Sequence, residues 1–399
     1  MRIFFITTKL NFVNAGGSSD ENDLMFRTLQ EMGNQVAVVT AYSKINNIPN
    51  KLPYELIEEN LGTGHQFGIQ RGVFKLLKKY EKNADIFHVD GHVFMYGAGA
   101  YRALGGKVPV ASFFNRELVS WPENVSTFLE IPKADSFFKK LKKHVRFFIE
   151  RYIMIPFANY VDFFEFTNPF LEKSYNNFGL KTNGRSLIIG ELFDWQKFMQ
   201  KYNIAESTYR DNRESNIGPV EIIYVGRMVA GKGFDLLITA FAKVQNKDNF
   251  HLTLVGNGPE EYMLHELSVK LGVNKYITFA GYLPKDKLYK LFKEVDIFIQ
   301  PRWRKDMSSM SLLTAIIFGV PSIVPEGGGL AWMAGSSALK FKDNDVNDLA
   351  NTIEKFGSDK KLRFSLSENC YNRLKDDELN HKNRMRYLYN TMENLRKNL

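Results

Sequence analysis

Short runs of apolar residues alternate along the chain with longer stretches of helical periodicity. In the first half, the strand-like runs are RIFFIT, QVAVVTA, DIFHVD, PVASFF, VDFFEFT and RSLIIG. In the second half, EIIYVG, HLTLVG, YITFAG, DIFIQP and PSIVPE are separated in the same way. Alternation of strand and helix predicts β-α-β units and a largely parallel sheet. Because the pattern occurs twice, we predict an α/β protein with two doubly wound, Rossmann-like domains that face a cleft.

The two alternating regions are separated by a polar, weakly periodic segment that ends in Gly-Pro. Such a segment is typical of a connection between domains, and a chain of 399 residues is long enough for two. We predict a first domain at residues 1–192, a linker at 193–220, a second domain at 221–380 and a closing helix at 381–399. Further helices are expected at Met95–Leu104, Ser308–Phe318 and Val346–Phe356.

Composition narrows the class of protein. The single cysteine, Cys370, excludes a disulfide framework, and no Cys/His cluster has the spacing of a metal site. We therefore expect no metal and no other bound cofactor. The opening run RIFFITT is short and lacks a cleavage site, and no apolar run is long enough to span a bilayer. We expect a cytoplasmic protein, either free or peripheral at the inner face of the cell membrane.

The formal net charge of +9 favours anionic partners. The segment Phe137–Pro156, FFKKLKKHVRFFIERYIMIP, interleaves cations with large apolar residues. This pattern predicts a basic amphipathic helix on an anionic membrane surface, although a core-packed helix with a solvated lysine face would have the same pattern. No known nucleic-acid module is present, so nucleic acid is not an expected partner.

The segment EIIYVGRMVAGKGFDLL, Glu221–Leu237, contains the most informative local pattern. A β-branched run ends at Gly226, two cations follow at Arg227 and Lys232, and an amphipathic stretch begins. Ligands of α/β proteins bind at the carboxyl edge of the parallel sheet, and fixed cations beside exposed amides suit a phosphorylated ligand. A plain turn with two solvated charges is the simpler alternative.

Further motifs follow in a fixed order: VGNGPEE, FAGYLPKDKL and DIFIQPRWRKDMSSMSLLTAIIFGVPSIVPEGGG. With VGRMVAGKGF, they resemble the second domain of retaining glycosyltransferases of family four, which have the GT-B fold. The stretch GGSSDENDLMFRTLQEMGNQVAVVT resembles that family's opening loop and helix. The resemblance implies a nucleoside-diphosphate-sugar donor, with a UDP-sugar as the leading candidate. The basic helix over Phe137–Pro156 adds the expectation of a saccharide or lipid-linked acceptor in bacterial surface polysaccharide or glycan assembly.

The resemblance also implies roles for individual residues. Arg227 and Lys232 would bind the donor diphosphate, and Asp306 would face the sugar as a third catalytic residue. The remaining donor-binding candidates lie in loops and at a helix start: Gly16, Gly17, Gly226, Gly281, Tyr282, Leu283, Met307, Ser308, Ser309, Met310, Ser311 and Thr314. Asn115 and His92 are the acceptor-side candidates.

Four positions depart from the family pattern. Asp306 and Thr314 stand where the family has two glutamates, so the charge-assisted bond to the ribose, worth about 1.5–3 kcal/mol, is lost at Thr314. Asn115 replaces a histidine, and an asparagine cannot carry a proton at neutral pH. Trp332 replaces a glutamate, and it either stacks on a ligand or packs against a neighbouring element.

The leading hypothesis is a retaining, metal-independent glycosyltransferase that transfers a hexose or an N-acetylhexosamine. A nucleotide-sugar epimerase of the GT-B fold is the first alternative, and it would need acid and base groups over the sugar. A non-catalytic partner protein with weakened donor chemistry is the second, because of the changes at Thr314 and Asn115.

Overall fold

The computed structural model describes residues 1–12, 18–48, 51–61, 66–116, 137–301 and 307–397. The chain divides into two units. Among the described residues, those up to 116, 137–193 and 377–397 form the first unit, and 194–376 form the second. The predicted linker region contains two short helices that belong to the second unit, and the helix at the end of the chain belongs to the first.

The first unit is built on a seven-stranded sheet in the order β3-β2-β1-β4-β5-β6-β7, in which every strand pair is parallel. Its strands are β1 (Arg2–Thr7), β2 (Gln35–Thr40), β3 (Glu55–Glu58), β4 (Ile86–Asp90), β5 (Val110–Phe114), β6 (Phe163–Phe166) and β7 (Ser186–Ile188). The central strands are apolar runs that are buried on both faces, as parallel sheets covered by helices require.

Helices cover both faces of this sheet. They are α1 (Ser18–Glu31), α2 (Gln66–Tyr80), α3 (Gly91–Ala103), α4 (Phe137–Ile149), α5 (Ile155–Ala158) and α6 (Pro169–Phe178). A π-helical turn, Glu150–Met154, joins α4 to α5, so the helix predicted over Phe137–Pro156 is not uniformly α-helical. A Cβ on Gly99 would lie 2.0 Å from the carbonyl oxygen of Phe157, so the glycine lets α5 pack directly on α3.

The second unit contains a six-stranded parallel sheet in the order β10-β9-β8-β11-β12-β13. Its strands are β8 (Val220–Val225), β9 (Phe250–Val255), β10 (Ile277–Gly281), β11 (Ile297–Ile299), β12 (Ser322–Pro325) and β13 (Ala338–Phe341). The helices are α7 (Trp195–Lys201), α8 (Thr208–Arg213), α9 (Phe234–Lys243), α10 (Glu261–Lys270), α11 (Lys285–Phe292), α12 (Met310–Ile317), α13 (Gly328–Ala334), α14 (Val346–Ser358) and α15 (Lys360–Lys375). Two Rossmann-like units in one chain confirm the predicted fold class.

The last helix, α16 (His381–Lys397), packs in the first unit. Met385, Leu388 and Met392 are fully buried in the core that also contains Phe5 and Phe26. Burial of these apolar side chains explains why the chain returns to the unit in which it began. Among the described helices, none is both long enough and apolar enough to cross a bilayer.

Candidate donor and acceptor sites

The turn after β8 is held by backbone hydrogen bonds to the turn after β9. The Gly226 and Met228 amides donate to the carbonyl oxygens of Val255 and Asn257, both at 2.9 Å, and the Glu260 amide donates to Met228. A Cβ on Gly256 would lie 1.9 Å from the Gly226 carbonyl oxygen. The glycine of the second turn is therefore needed so that the first turn can lie directly against it.

Arg227 and Lys232 both lie on this turn. The Arg227 side chain is exposed, and within the described residues its guanidinium forms no ion pair. Lys232 is half-buried, and its carbonyl oxygen accepts a hydrogen bond of 2.8 Å from the Tyr224 hydroxyl. Tyr224 is fully buried against Phe234, at 4.3 Å between ring centroids, and burial raises the pKa of its phenol. A rigid core residue thus fixes the backbone of the lysine.

The neighbouring strand end lies beside this turn. The Gly281 carbonyl oxygen accepts a hydrogen bond from the Gly256 amide at 2.8 Å, and Gly281 has a left-handed φ of 62°. Tyr282 follows with 72% of its surface exposed, and Leu283 is half-buried. The sheet order places β10 two strands from β8, and the strands are parallel. The candidate residues that follow β8 and β10 therefore lie at the same carboxyl edge of the sheet.

The helix predicted over Ser308–Phe318 begins at Met310 in the structure, two residues after the predicted start. Met307, which precedes it, is half-buried. Ser308 is buried, and the hydroxyls of Ser309 and Ser311 are 2.9 Å apart. Thr314 donates its hydroxyl to the Met310 carbonyl oxygen at 2.8 Å, so only the oxygen lone pairs remain for a ligand. Asp306, Gly16 and Gly17 lie outside the described residues.

The acceptor-side candidates lie at the carboxyl edge of the first unit's sheet. His92 is in the first turn of α3, after β4, and its buried Nδ1 has no hydrogen-bond partner among the described residues. Burial lowers the pKa of His92 to about 3, and the Arg116 guanidinium acts in the same direction. The imidazole is therefore neutral at physiological pH, and it is a weak base.

Asn115 follows β5 and belongs to a small polar cluster that the sequence analysis did not identify. Its side chain hydrogen-bonds the carboxyl group of Glu21, whereas its buried Oδ1 has no partner among the described residues. Glu21 also accepts a hydrogen bond of 3.1 Å from the Leu192 amide. Burial and the nearby Glu191 raise the pKa of Glu21 well above its usual range. Asn115 thus presents an unused acceptor oxygen at the sheet edge.

Asp90 ends β4 beside these residues. It accepts hydrogen bonds from the Thr7 hydroxyl at 2.8 Å and from the Thr8 amide at 3.1 Å, and burial raises its pKa. His88, two residues earlier, lies 3.0 Å from Glu165 through Nε2 and is buried. Asp90 is thus hydrogen-bonded to the end of β1, and His88 contacts Glu165 of β6.

A family model described as glycosyl transferases group 1 matches residues 206–373. These residues belong to that family. The match confirms the resemblance to family four that the strand-end motifs suggested, and we call residues 206–373 the group 1 domain.

Curated relatives match part of the chain. "Uncharacterized glycosyltransferase MJ1607" of Methanocaldococcus jannaschii is 33% identical over 109 residues, 27% of this chain and 28% of its own length. "Lipopolysaccharide core biosynthesis glycosyltransferase LpsE" of Rhizobium meliloti is 30% identical over 149 residues, 37% of this chain and 42% of its own. The chain thus matches less than half the length of either relative.

Solved structures are similar along the whole chain. Sucrose-phosphate synthase from Thermosynechococcus elongatus covers 100% of both chains with a TM-score of 0.74 and 17% identity. HepE from Anabaena, solved in complex with UDP, covers 99% of this chain and 100% of its own with a TM-score of 0.67 and 14% identity. At such identities the likeness shows the fold, and the fold of these glycosyltransferase structures is GT-B.

The group 1 domain brings Gly226, Arg227, Lys232 and Gly281 to one edge of its sheet. Tyr224 was missed because its role depends on a hydrogen bond to a backbone carbonyl eight residues away. Gln300, at the end of β11, was also missed. It is buried, and its Oε1 has no partner among the described residues. Trp332 packs on Arg373, whose guanidinium carbon is 5.5 Å from the ring centroid, which favours the packing alternative.

Proposed function

We propose that the protein is a retaining glycosyltransferase that transfers a hexose or an N-acetylhexosamine from a nucleoside-diphosphate sugar, with UDP as the carrier. The observation that carries the proposal is the turn of the group 1 domain, where an exposed Arg227 and a half-buried Lys232 follow β8. Their positive charges lie beside backbone amides at the carboxyl edge of a parallel sheet, where a diphosphate binds.

In the reaction that we propose, the bond between the anomeric carbon and the diphosphate oxygen breaks, and negative charge grows on the leaving group. Arg227 and Lys232 stabilise that charge more strongly in the transition state than in the ground state. These two cations supply the charge that a metal ion would otherwise provide, so we propose a metal-independent reaction.

The acceptor hydroxyl attacks the anomeric carbon on the face from which the diphosphate departs, and its proton passes to the departing phosphate oxygen. The first unit supports this route, because Asn115 cannot carry a proton and a histidine with a pKa of about 3 is a poor base. Asn115 instead offers Oδ1 to a hydroxyl group of the acceptor. His92 can accept a second hydrogen bond at Nδ1.

UDP is the carrier that we propose because HepE, which has the same fold, was solved with UDP. The ribose would meet Thr314, whose hydroxyl already donates within its helix and can only accept. A ribose hydroxyl would then be the donor in that contact. We expect a weaker ribose contact than a carboxylate would provide.

We also propose a saccharide or lipid-linked acceptor that is reached at an anionic membrane surface. The helices α4 and α5 and the turn between them carry a row of exposed apolar side chains: Leu141, Val145, Phe148, Tyr152, Ile153 and Phe157. We call this row the α4–α5 apolar face. Lys142 and Arg146 are exposed on the same helix, so the segment combines apolar contact area with positive charge. Relatives named for lipopolysaccharide core biosynthesis support an acceptor of this class.

A screen of nucleotide release from UDP-, GDP- and ADP-sugars tests the donor proposal. Lys232→Ala should lower turnover by about 10²–10³, the usual effect of removing one group that stabilises developing charge. Lys270→Ala, an exposed lysine at the end of α10, is the matched control and should keep full turnover. Unchanged turnover in the Lys232 variant would contradict the proposal. Formation of a new sugar nucleotide without acceptor would indicate an epimerase instead.

A further inference from the structure

A groove of about 370 Å³ runs along α2 in the first unit, apart from the sheet-edge residues described above. Its lining includes three cations, one carboxylate, two leucines and two glycines: Arg71, Lys75, Lys79, Glu59, Leu61, Leu76, Gly68 and Gly72. This volume lies within the usual range of small-molecule sites. None of the sequence motifs pointed to it, because the cations become neighbours only through helical spacing.

The groove has an excess of positive charge. Lys79 forms an ion pair with Glu59, which also accepts a hydrogen bond of 2.6 Å from Tyr80, and the lysine lowers the pKa of that carboxyl. Arg71 and Lys75 are exposed, and within the described residues neither forms an ion pair. Two cations one helical turn apart repel each other, so a bound anion would be stabilised by both.

The geometry suits an extended ligand. Arg71 and Lys79 are eight positions apart on a helix, which spans about 12 Å at 1.5 Å per residue. Phe67, one turn before Arg71, has 59% of its surface exposed. A Cβ on Gly68 would meet nothing within 4 Å, so the groove is open beside Arg71. Apolar lining residues and spaced cations match a short chain of sugar rings that bears acidic groups.

We propose that this groove binds an anionic saccharide, with carboxylate or phosphate groups at Arg71 and Lys75 and sugar rings over Leu61 and Leu76. Naming this saccharide as the acceptor rests on the proposed glycosyltransferase function. The helix α2 packs on α3, and α3 packs on α5, so the groove and the α4–α5 apolar face lie on the same side of the sheet. A lipid-linked acceptor can therefore extend along this side from a membrane surface to the groove.

Calorimetric titration of the full chain at low ionic strength tests the inference with two probes of the same length, trigalacturonate and maltotriose. Trigalacturonate should bind more tightly, and the double substitution Arg71→Gln and Lys75→Gln should weaken it about fivefold to tenfold, the scale of two partly solvated charge pairs. Added salt should weaken it as well. The control, Lys82→Gln with Lys181→Gln, removes two exposed lysines of the same unit.

Equal binding of the two probes, or an unchanged affinity in the double variant, would overturn the inference. Flotation with phosphatidylglycerol vesicles tests whether the ligand of the two cations is a lipid headgroup instead of a saccharide. Loss of flotation in the double variant, with trigalacturonate binding intact, would also overturn the inference. UDP binding is measured in the same samples. Binding of trigalacturonate without binding of UDP would contradict the proposed function and still support saccharide binding in the groove. Binding of UDP without binding of trigalacturonate would contradict only the groove proposal.

Discussion

The half-buried Asn115 side chain hydrogen-bonds the buried carboxyl group of Glu21 in the first unit. The carboxyl group is held between the Leu192 amide and the Asn115 side chain, with Glu191 and Asp90 nearby. Desolvation disfavours the ionised form of such a group. At the residue scale, this contact links folding stability to pH, and it also orients the Asn115 amide.

The substitution Glu21→Gln tests this link. The folded-state pKa of Glu21 is raised above its usual value of 4.5, so its stabilising contribution is complete below that value and is lost as pH rises through the folded pKa. The glutamine stays neutral, and the variant should therefore gain in free energy of unfolding relative to wild type as pH rises. Urea unfolding across the pH range from acidic to mildly alkaline measures the difference.

The control for this measurement is Glu31→Gln, an exposed glutamate at the other end of α1. It should give a curve parallel to wild type. Asp90 and His92 titrate in both proteins, so the comparison removes their contributions. A variant that follows the wild-type curve at every pH would show that the pKa of Glu21 is not raised in the folded protein.

The sequence predicted the residues whose chemistry is local and missed those whose role depends on tertiary burial. The common turn of Gly226, Arg227 and Lys232 could be predicted because a glycine-punctuated turn after an apolar strand is visible in the sequence. Glu21, Tyr224 and the groove cation Arg71 carry no such signal, since each acquires its role from partners far along the chain or from helix geometry.

At the scale of elements, the α4–α5 apolar face exposes several large apolar side chains of the first unit. Phe148 and Tyr152 have 58% and 59% of their surfaces exposed, and their rings contact each other at 4.7 Å between centroids. The π-helical turn Glu150–Met154 shifts the helical register in the middle of this face. Glu150 is buried in this turn, and its carboxylate accepts a hydrogen bond of 3.1 Å from the Arg146 guanidinium. This contact ties the turn to α4.

The double substitution Phe148→Ser and Tyr152→Ser should reduce partitioning onto phosphatidylglycerol vesicles at least tenfold, since each buried aromatic contributes roughly 1.5–3 kcal/mol. Vesicle flotation measures this, with nucleotide release from a soluble donor as a check that the fold is intact. Phe67→Ser, an exposed aromatic on α2, is the control and should float like wild type. Full flotation of the double variant would contradict the membrane proposal.

Elements with a strong apolar period were predicted, and weakly patterned ones were not. The strands β3 and β13 lie at the edges of their sheets, where one side is unpaired. Their sequences, ELIE and ALKF, mix polar and apolar residues and lack the apolar run of a central strand. The helices α7 and α8 lie in the segment predicted as a linker. Arg213 of α8 is buried and donates to the carbonyl oxygens of Phe292 and Val295, an attachment that polar composition conceals.

At the scale of the whole molecule, the first unit depends on both ends of the chain. Deletion of residues 381–399 would expose the core around Met385, Leu388 and Met392. Burial of three such side chains contributes about 5–9 kcal/mol, comparable with the total stability of a domain. We expect calorimetry to show an early or missing transition for the first unit, whereas UDP binding by the group 1 domain persists.

The single variants Leu388→Ala and Arg386→Ala refine this test. The first removes a fully buried side chain and should cost about 2–5 kcal/mol, and the second removes an exposed one on the same helix and should cost almost nothing. Loss of UDP binding together with the first transition would show that the two units do not unfold separately.

The return of α16 to the first unit also orders events during synthesis. The residues of the second unit, through Asp376, leave the ribosome before the helix that completes the first core. Domains commonly fold from the N-terminus as the chain emerges. Here the N-terminal half must wait, with part of its core open to solvent, until α16 has been translated.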